Sequence, residues 1–307
     1  MEENISDYDL YYPQFVGSKE SLLSLKQKDV ATLSGWDTSH PLLSNISDAD
    51  RIDYFDVAYG SDPLQMLDVH HLKSGRKLKP VIFYIHGGGW NSGDKNFSRF
   101  FGPSFLPMGY TLVSVNYRLI PKNPYPAQIE DCAAALKWVV DNMEKYGGDP
   151  FRIAVIGDSA GGHLAGLLVA GQKWHQSFGI DINRVKCWVP ISGDHDLGLK
   201  ENYYGKMMQD MAEMFDFEKN KADASPVNHV TGREPPSLII HGGDDWLVPK
   251  TNSLVMYDKL KGKGAQTELQ VVEGYMHCNM TTEFGNMGHK PTEIISNYLN
   301  RYIPALP

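Results

Sequence analysis

The sequence has few cysteines and no long apolar run. Only three of the 307 residues are cysteine, and Cys132, Cys187 and Cys278 are widely spaced with no Cys-x-x-Cys pair. This odd, scattered set excludes a zinc ribbon and a disulfide framework. No apolar stretch approaches the roughly 20 residues of a membrane helix. Because none follows the acidic first residues either, we expect no signal peptide in this sequence. We therefore expect a cytoplasmic protein with free thiols.

Positive charge is also scarce. There are 29 Lys and Arg residues against 37 Asp and Glu, which gives a net charge of −8. An acidic chain without a dense Lys/Arg run is a poor ligand for nucleic acid or for anionic lipid. We expect neither a nucleic-acid nor a membrane partner, and a monomer or homodimer. The hydrophobic fraction of 42% is ordinary for a globular chain.

Short apolar segments and longer periodic ones alternate through most of the chain. The short ones predict eight strands, at 52–58, 66–71, 81–85, 110–116, 152–156, 185–191, 237–240 and 268–272. The periodic ones predict helices at 127–146, 160–171, 251–261 and 292–302. The fully apolar strands are typical of parallel strands covered by helices. The pattern predicts an α/β fold, with a mostly parallel eight-stranded sheet and helices on both faces.

Two segments depart from this alternation. Residues 1–50 are polar and weakly periodic, and they predict an N-terminal arm or cap. Between about 195 and 232, methionines that include Met207 and Met211 recur at helical spacing, which favours a small helical lid. Filling of the core by these methionines remains the alternative. We predict a single domain over 1–307 that includes both segments.

The strongest motif is Gly157-Asp158-Ser159-Ala160-Gly161. It directly follows a predicted buried strand and directly precedes a predicted helix, which is the context of a nucleophile elbow. The turn there is sharp and strained, so neighbouring Cβ atoms would clash and glycines are needed. The motif predicts that Ser159 is a nucleophile.

A second motif, His86-Gly87-Gly88-Gly89-Trp90, directly follows the strand at 81–85. A glycine run allows backbone N–H groups to turn towards a ligand without obstruction by side chains. The N–H groups of Gly88 and Gly89, together with that of Ala160, predict an oxyanion hole.

A serine nucleophile needs a base and an acid that orients the base. In the strand–turn–helix context the chain order is serine, acid, histidine. Asp244 and Asp245 follow the strand at 237–240, and the residues alone leave both open as the acid. His277 follows the last predicted strand and is the candidate base.

Together these motifs resemble the α/β-hydrolase superfamily, and more narrowly its hormone-sensitive-lipase-like carboxylesterases. The resemblance covers roughly residues 65–303 and rests on the two glycine motifs, on Asn116-Tyr117-Arg118-Leu119 with Pro124-Tyr125-Pro126, and on the acid and histidine loops. The family's Asp-x-x-Val pattern fits Asp245-Trp246-Leu247-Val248 and therefore implies Asp245 as the acid. The resemblance also implies that Arg118 and Asp131 form a structural ion pair.

The resemblance implies an α/β-hydrolase fold and a serine carboxylesterase. The catalytic residues would be Ser159, Asp245 and His277, which act through an acyl-enzyme on a small-molecule ester without a metal or organic cofactor. Contacts with the substrate are expected from Trp90, Trp246, Tyr275, Met207 and Met211.

Two other functions stay open. Kynurenine formamidases, which cleave an N-formyl amide, resemble this loop arrangement, although their elbow reads Ser-Ala-Gly-Ala-His and position 162 here is glycine. A more remote alternative is a non-enzymatic receptor of this fold that binds a small ligand under its lid. Receptors of that kind have lost the catalytic histidine, whereas His277 is present.

Overall fold

The computed structural model describes residues 46–47, 50–73, 78–199, 216–286 and 288–305. Most of the predicted N-terminal arm lies outside these residues. Met207 and Met211, on which the predicted lid helix rests, also lie outside them. The lid and the single-domain organisation therefore stay predictions.

Within the described residues, eight strands form one sheet in the order β1-β2-β4-β3-β5-β6-β7-β8. They are β1 (Arg51–Ala58), β2 (Met66–Leu72), β3 (Lys79–Ile85), β4 (Thr111–Val115), β5 (Gly148–Asp158), β6 (Val185–Ile191), β7 (Ser237–Gly242) and β8 (Thr267–Val272). Strand β2 is antiparallel to β1 and to β4. All other neighbouring pairs in this sheet are parallel. The predicted mostly parallel eight-stranded sheet is confirmed.

The helices of the described chain are α1 (Ser98–Phe105), α2 (Ala127–Asn142), α3 (Ala160–Ala170), α4 (Gln172–Phe178), α5 (Phe217–Ala224), α6 (Thr251–Gly262), α7 (Asn279–Thr282) and α8 (Lys290–Tyr302). The four predicted helices correspond to α2, α3, α6 and α8. The sequence analysis does not predict helix α1, because this helix contains Gly102 and Pro103, which usually end a helix. Helices α4, α5 and α7 have eight residues or fewer and show too little periodicity.

Strand β3 shows how the sheet is covered on both faces. Its alternate residues enter two separate core clusters, since successive side chains of a strand point to opposite faces. Phe83 and Ile85 pack in the cluster that contains α2 and α3. Ile82 and Tyr84 pack in the cluster that contains α1 and α8. Helices therefore cover both faces of the sheet, as predicted.

The implied ion pair between Arg118 and Asp131 is confirmed. Arg118 Nη2 lies 2.7 Å from Asp131 Oδ1, and the backbone N–H of Arg118 donates to Asp131 Oδ2 over 2.8 Å. Gln65 Nε2 donates to the same carboxylate over 2.7 Å. Asp131 is fully buried on α2. The carboxylate therefore ties α2 to the loop after β4 and to the chain before β2.

All three cysteines lie in the described residues as free thiols, as expected. Cys132 and Cys187 are buried, and burial raises the pKa of both thiols. Over the described ranges, no helix has the length and apolar character needed to cross a membrane.

Two leucines on helices provide a matched test of the packing. Leu168 of α3 is fully buried, whereas Leu254 of α6 is 41% exposed. Leu168→Ala should lower the free energy of unfolding by about 2–5 kcal/mol, because it removes apolar contacts and leaves a cavity. Leu254→Ala should change it by about 0.5 kcal/mol or less. Denaturant unfolding of both variants measures the difference, and equal losses would contradict the placement of α3 in the core.

Candidate active site

The carboxyl ends of parallel strands bring the predicted site residues to one edge of the sheet. Ser159 follows β5, Asp245 follows β7, and His277 follows β8. The glycine loop that begins at His86 follows β3, which is the neighbour of β5. The carboxyl edge of an open α/β sheet is where such proteins bind their ligands.

Ser159 occupies a strained turn between β5 and α3. Its backbone has φ 53° and ψ −123°, a conformation that residues with a side chain rarely adopt. Its N–H donates to Ile191 O over 2.8 Å. A Cβ atom at Gly161 would lie 2.1 Å from Ile85 O, so only glycine permits α3 to pack this closely on β3. The surrounding contacts therefore hold Ser159 in its strained conformation.

Ser159, His277 and Asp245 form a continuous chain of hydrogen bonds. Ser159 Oγ lies 2.9 Å from His277 Nε2, and His277 Nδ1 lies 2.8 Å from Asp245 Oδ2. An ionised carboxylate only accepts, so Nδ1 carries the proton and Nε2 accepts from the serine hydroxyl. This is the geometry that a general base needs to activate a hydroxyl.

Asp245 is held in place by groups other than His277. Its Oδ1 accepts from the backbone N–H groups of Leu247 and Val248, over 3.0 and 2.9 Å. Its Oδ2 also lies 3.3 Å from His241 Nε2. Burial alone would raise the pKa of Asp245, but the two histidines favour the carboxylate and hold that pKa below its usual range. Asp245 is therefore ionised when His277 is needed as a base.

Asp244 has a different environment. Its backbone N–H donates to Tyr275 O over 2.9 Å, and its side chain is half-buried. The carboxylate bonded to His277 is that of Asp245. The geometry therefore selects Asp245 over Asp244, as the Asp-x-x-Val pattern does.

The glycine loop lies next to the elbow. Gly88 and Gly89 have φ values of 114° and 56°, and the Gly88 carbonyl accepts from the N–H groups of Asn91 and Ser92. Among the hydrogen bonds of the described residues, none uses the backbone N–H of Gly88, Gly89 or Ala160. The predicted oxyanion hole requires N–H groups that are not used within the chain in this way.

Asp158 joins the glycine loop to the elbow, a role that the sequence analysis missed. Its Oδ1 accepts from the hydroxyl of Tyr84 over 2.6 Å and from the N–H of Gly87 over 3.1 Å. Burial raises the pKa of Asp158, and the hydrogen bond from Tyr84 opposes that rise. The sequence offers little to reveal this role: Asp158 is the first x of G-x-S-x-G, but its partner Tyr84 is distant in the sequence. This carboxylate fixes the loop relative to Ser159.

Trp90 also connects the loop to the elbow helix. Its indole is 1% exposed, and Nε1 donates to His163 Nδ1 over 3.1 Å. His163 Nε2 in turn donates to Ala224 O over 2.7 Å. Burial lowers the pKa of His163 to about 4, so the ring is neutral and can both accept and donate. The burial of Trp90 favours a supporting role over the predicted contact with substrate.

The other predicted substrate contacts have different placements. Trp246, which directly follows Asp245 in the sequence, is 7% exposed. The Tyr275 ring stacks edge-on against His289, and its hydroxyl accepts from Lys290 N, which directs it towards α8. Met207 and Met211 lie outside the described residues. Contacts of these residues with substrate stay predictions.

Metal ligands are not grouped at this site. In the described part of the chain, no three His, Cys, Asp or Glu side chains are arranged so that they could hold a metal ion. The chemistry available at the site is that of a serine, a histidine, carboxylates and backbone N–H donors.

Comparison with known proteins identifies the family. The BD-FAE family model matches residues 67–260, which is more than half of the chain. The chain belongs to the BD-FAE family. The BD-FAE match spans the glycine loop, the elbow and Asp245 but ends before His277.

Named relatives agree with this assignment. The probable carboxylic ester hydrolase LipM of Mycobacterium tuberculosis is 34% identical over 193 residues, which cover 59% of this chain and 45% of that protein. The probable isoprenylcysteine alpha-carbonyl methylesterase ICMEL1 of Arabidopsis thaliana is 25% identical over 240 residues, which cover 73% of this BD-FAE chain and 50% of that protein. The chain spans about half the length of the curated relatives it matches.

Solved structures confirm the fold. A truncated form of a carbohydrate esterase from gut microbiota superposes with a TM-score of 0.71 and 22% identity, and covers 83% of this BD-FAE chain and 97% of that chain. The comparisons confirm the resemblance to the α/β-hydrolase superfamily and its hormone-sensitive-lipase-like carboxylesterases.

The choice between the two aspartates can be tested directly. Asp245→Asn should reduce kcat about 10⁴-fold, because the amide no longer fixes the His277 tautomer that accepts from Ser159. Asp244→Asn, which makes the same chemical change one residue away, should leave kcat within about 3-fold, because it removes no contact with His277. Steady-state kinetics on an aryl ester compare the two variants, and a larger loss at Asp244 would assign the acid role to the other carboxylate.

Proposed function

We propose that this protein is a serine carboxylesterase. The observation that supports this most strongly is the chain Ser159–His277–Asp245, with hydrogen bonds of 2.9 and 2.8 Å, beside the unused N–H groups of Gly88, Gly89 and Ala160. A nucleophile, its base, the group that orients the base and a set of oxyanion donors are the components that acyl transfer requires.

The first half of the reaction forms an acyl-enzyme. Ser159 Oγ attacks the ester carbonyl while its proton passes to His277 Nε2. The carbonyl oxygen gains negative charge and is stabilised by the N–H groups of Gly88, Gly89 and Ala160. Asp245 stabilises the imidazolium that forms. The tetrahedral intermediate then expels the alcohol, which takes the proton back from His277.

The second half of the reaction restores the serine. Water donates a proton to His277 Nε2 and attacks the acyl carbonyl, and the same N–H groups stabilise the second oxyanion. Collapse breaks the bond to Ser159 Oγ, which recovers its proton from His277 as the carboxylic acid leaves. The side chains and backbone donors supply every group in these steps, so we expect no metal or organic cofactor.

The substrate class follows from the type of reaction and from the relatives. A carboxylic ester is proposed because relatives of this chain carry names such as carboxylic ester hydrolase and methylesterase. One structural neighbour is named a carbohydrate esterase. The formamide alternative is less well supported, because Gly162 stands where kynurenine formamidases carry alanine.

The nucleophile can be identified by covalent labelling. A fluorophosphonate should form a single adduct on Ser159, because only that hydroxyl is hydrogen-bonded to a base in the elbow. Peptide mass spectrometry locates the adduct. Ser159→Ala should abolish labelling and reduce kcat on the order of 10⁶-fold while unfolding at the same denaturant concentration. An adduct on another serine, or full activity in Ser159→Ala, would refute the mechanism.

The bond that is cleaved can be determined with two substrates. Hydrolysis of p-nitrophenyl acetate should exceed that of N-formylkynurenine by at least about 100-fold in kcat/KM. Parallel assays of the same preparation, with Ser159→Ala as the blank, measure the ratio. A ratio below one would assign the protein to the formamidases, and labelling of Ser159 without turnover of either compound would direct the search to other acyl donors.

A further inference from the structure

A second carboxylate lies next to the proposed catalytic residues. Asp194 belongs to the loop that follows β6, the strand between β5 and β7. The two strands that flank β6 carry Ser159 and Asp245 at their ends. The carboxyl edge of the sheet therefore presents a carboxylate from β6 as well as from β7.

The loop that carries Asp194 is fixed from several sides. Ser192 N donates to Ile240 O over 2.9 Å, which binds the start of the loop to β7. The next two N–H groups after Asp194, those of His195 and Asp196, both donate to Asn252 Oδ1, over 2.9 and 3.0 Å. A Cβ atom at Gly193 would lie 2.8 Å from the carbonyl carbon of Gly162 in the elbow helix. Asp194 therefore has a defined position beside the elbow.

The carboxylate of Asp194 is buried but unpaired. Only 4% of the residue is exposed, and within the described residues its oxygens make no hydrogen bond or ion pair. An isolated buried carboxylate is unfavourable for stability. Functional sites commonly retain such a cost, because activity there is traded against stability.

The titratable groups near Asp194 come from three loops. His277 follows β8, Asp245 and His241 belong to the end of β7, and His195 is the next residue in its own loop. The pKa of Asp194 is raised to about 7, chiefly by burial; Asp245 adds to the rise, and His277 and His241 oppose it. By reciprocity, an ionised Asp194 favours the protonated form of His277. His195 is buried and its pKa is lowered to about 3, so it remains neutral.

We propose that Asp194 is a positioning residue that acts through His277, as a second negative charge that stabilises the imidazolium formed when Ser159 is deprotonated. This inference rests on the proposed serine mechanism. Two carboxylates, one hydrogen-bonded to the imidazole and one acting through space, would then share the stabilisation of one positive charge. Asp194 and His277 titrate as a coupled pair, so the rate rises with pH over more than one ionisation.

The test compares Asp194→Asn with Asp196→Asn, which makes the same change two residues further along the loop. Asp194→Asn should lower kcat about 10-fold at pH 8.5 with little change in KM. It should also move the midpoint of the kcat/KM profile down by about one pH unit and leave a single ionisation, because a tenfold effect on the imidazolium equals one unit. Asp196→Asn should change neither kcat nor the midpoint of the kcat/KM profile.

Stability provides a readout that separates this role from a structural one. Removal of an unpaired buried charge should leave the denaturation midpoint of Asp194→Asn unchanged or higher. A lower midpoint together with a rate loss that is the same at every pH would show that Asp194 only supports the fold, and would overturn the proposal. A change in KM alone would make Asp194 a substrate contact, which overturns it as well.

A double-mutant cycle tests whether the two carboxylates act on the same group. In the Asp245→Asn background, Asp194→Asn should cost about 100-fold, more than in the otherwise unchanged enzyme, because Asp194 is then the remaining charge near His277. Equal costs in the two backgrounds would overturn the proposal. Fluorophosphonate labelling of Ser159 in the unchanged enzyme is the separate control. Its absence would refute the serine mechanism itself, whereas labelling with an additive cycle would refute only the role of Asp194.

Discussion

The close approach of the elbow helix to the end of β3 is the constraint on which the site depends. Gly161 lies so near the carbonyl of Ile85 that no side chain fits between them. The turn that carries Ser159 and the beginning of the glycine loop are consequently one packed unit, and Asp158 reinforces it through Gly87. The serine and the backbone donors therefore cannot shift independently. The proposed oxyanion donors, fixed in this way before the reaction, need no reorganisation when charge develops on the substrate oxygen.

Four of the buried aspartates among the described residues differ in the partners that compensate their charge. Asp131 faces a guanidinium, and Asp245 faces two imidazoles and two N–H groups. Within the described part of the chain, Asp158 accepts hydrogen bonds from the neutral donors Tyr84 and Gly87, and its pKa is raised. Asp194 has no hydrogen-bonding partner among the described residues. The same side chain is thus strongly ionised at Asp245 and titrates near neutrality at Asp194. Such separation of similar groups is characteristic of sites that transfer protons.

The sequence predicts the fold and the three residues Ser159, Asp245 and His277 well, because the sequence patterns that indicate them are local. Most of the eight strands are short apolar segments with clear boundaries. Ser159 directly follows one strand, and Asp245 and His277 lie in the loops after two others. Contacts between distant residues leave no such pattern. The bond between Tyr84 and Asp158 joins residues 74 positions apart, and the burial of Trp90 depends on His163. Helix α1 was missed because tertiary packing of Phe101 and Phe105 overrides the local effect of Gly102 and Pro103.

The hydrogen-bonded path from Trp90 through His163 to Ala224 has a fixed polarity. Each group donates in the same direction, from the indole to the ring and from the ring to the carbonyl at the end of α5. A residue at position 163 must therefore accept a hydrogen bond on one side and donate one on the other while it remains uncharged. Neutral histidine meets this requirement, whereas lysine and arginine cannot accept and an ionised aspartate cannot donate. Helix α5, which lies within the predicted lid segment, and the loop that carries the proposed oxyanion donors are in this way linked through one bifunctional side chain, which restricts how either can diverge during evolution.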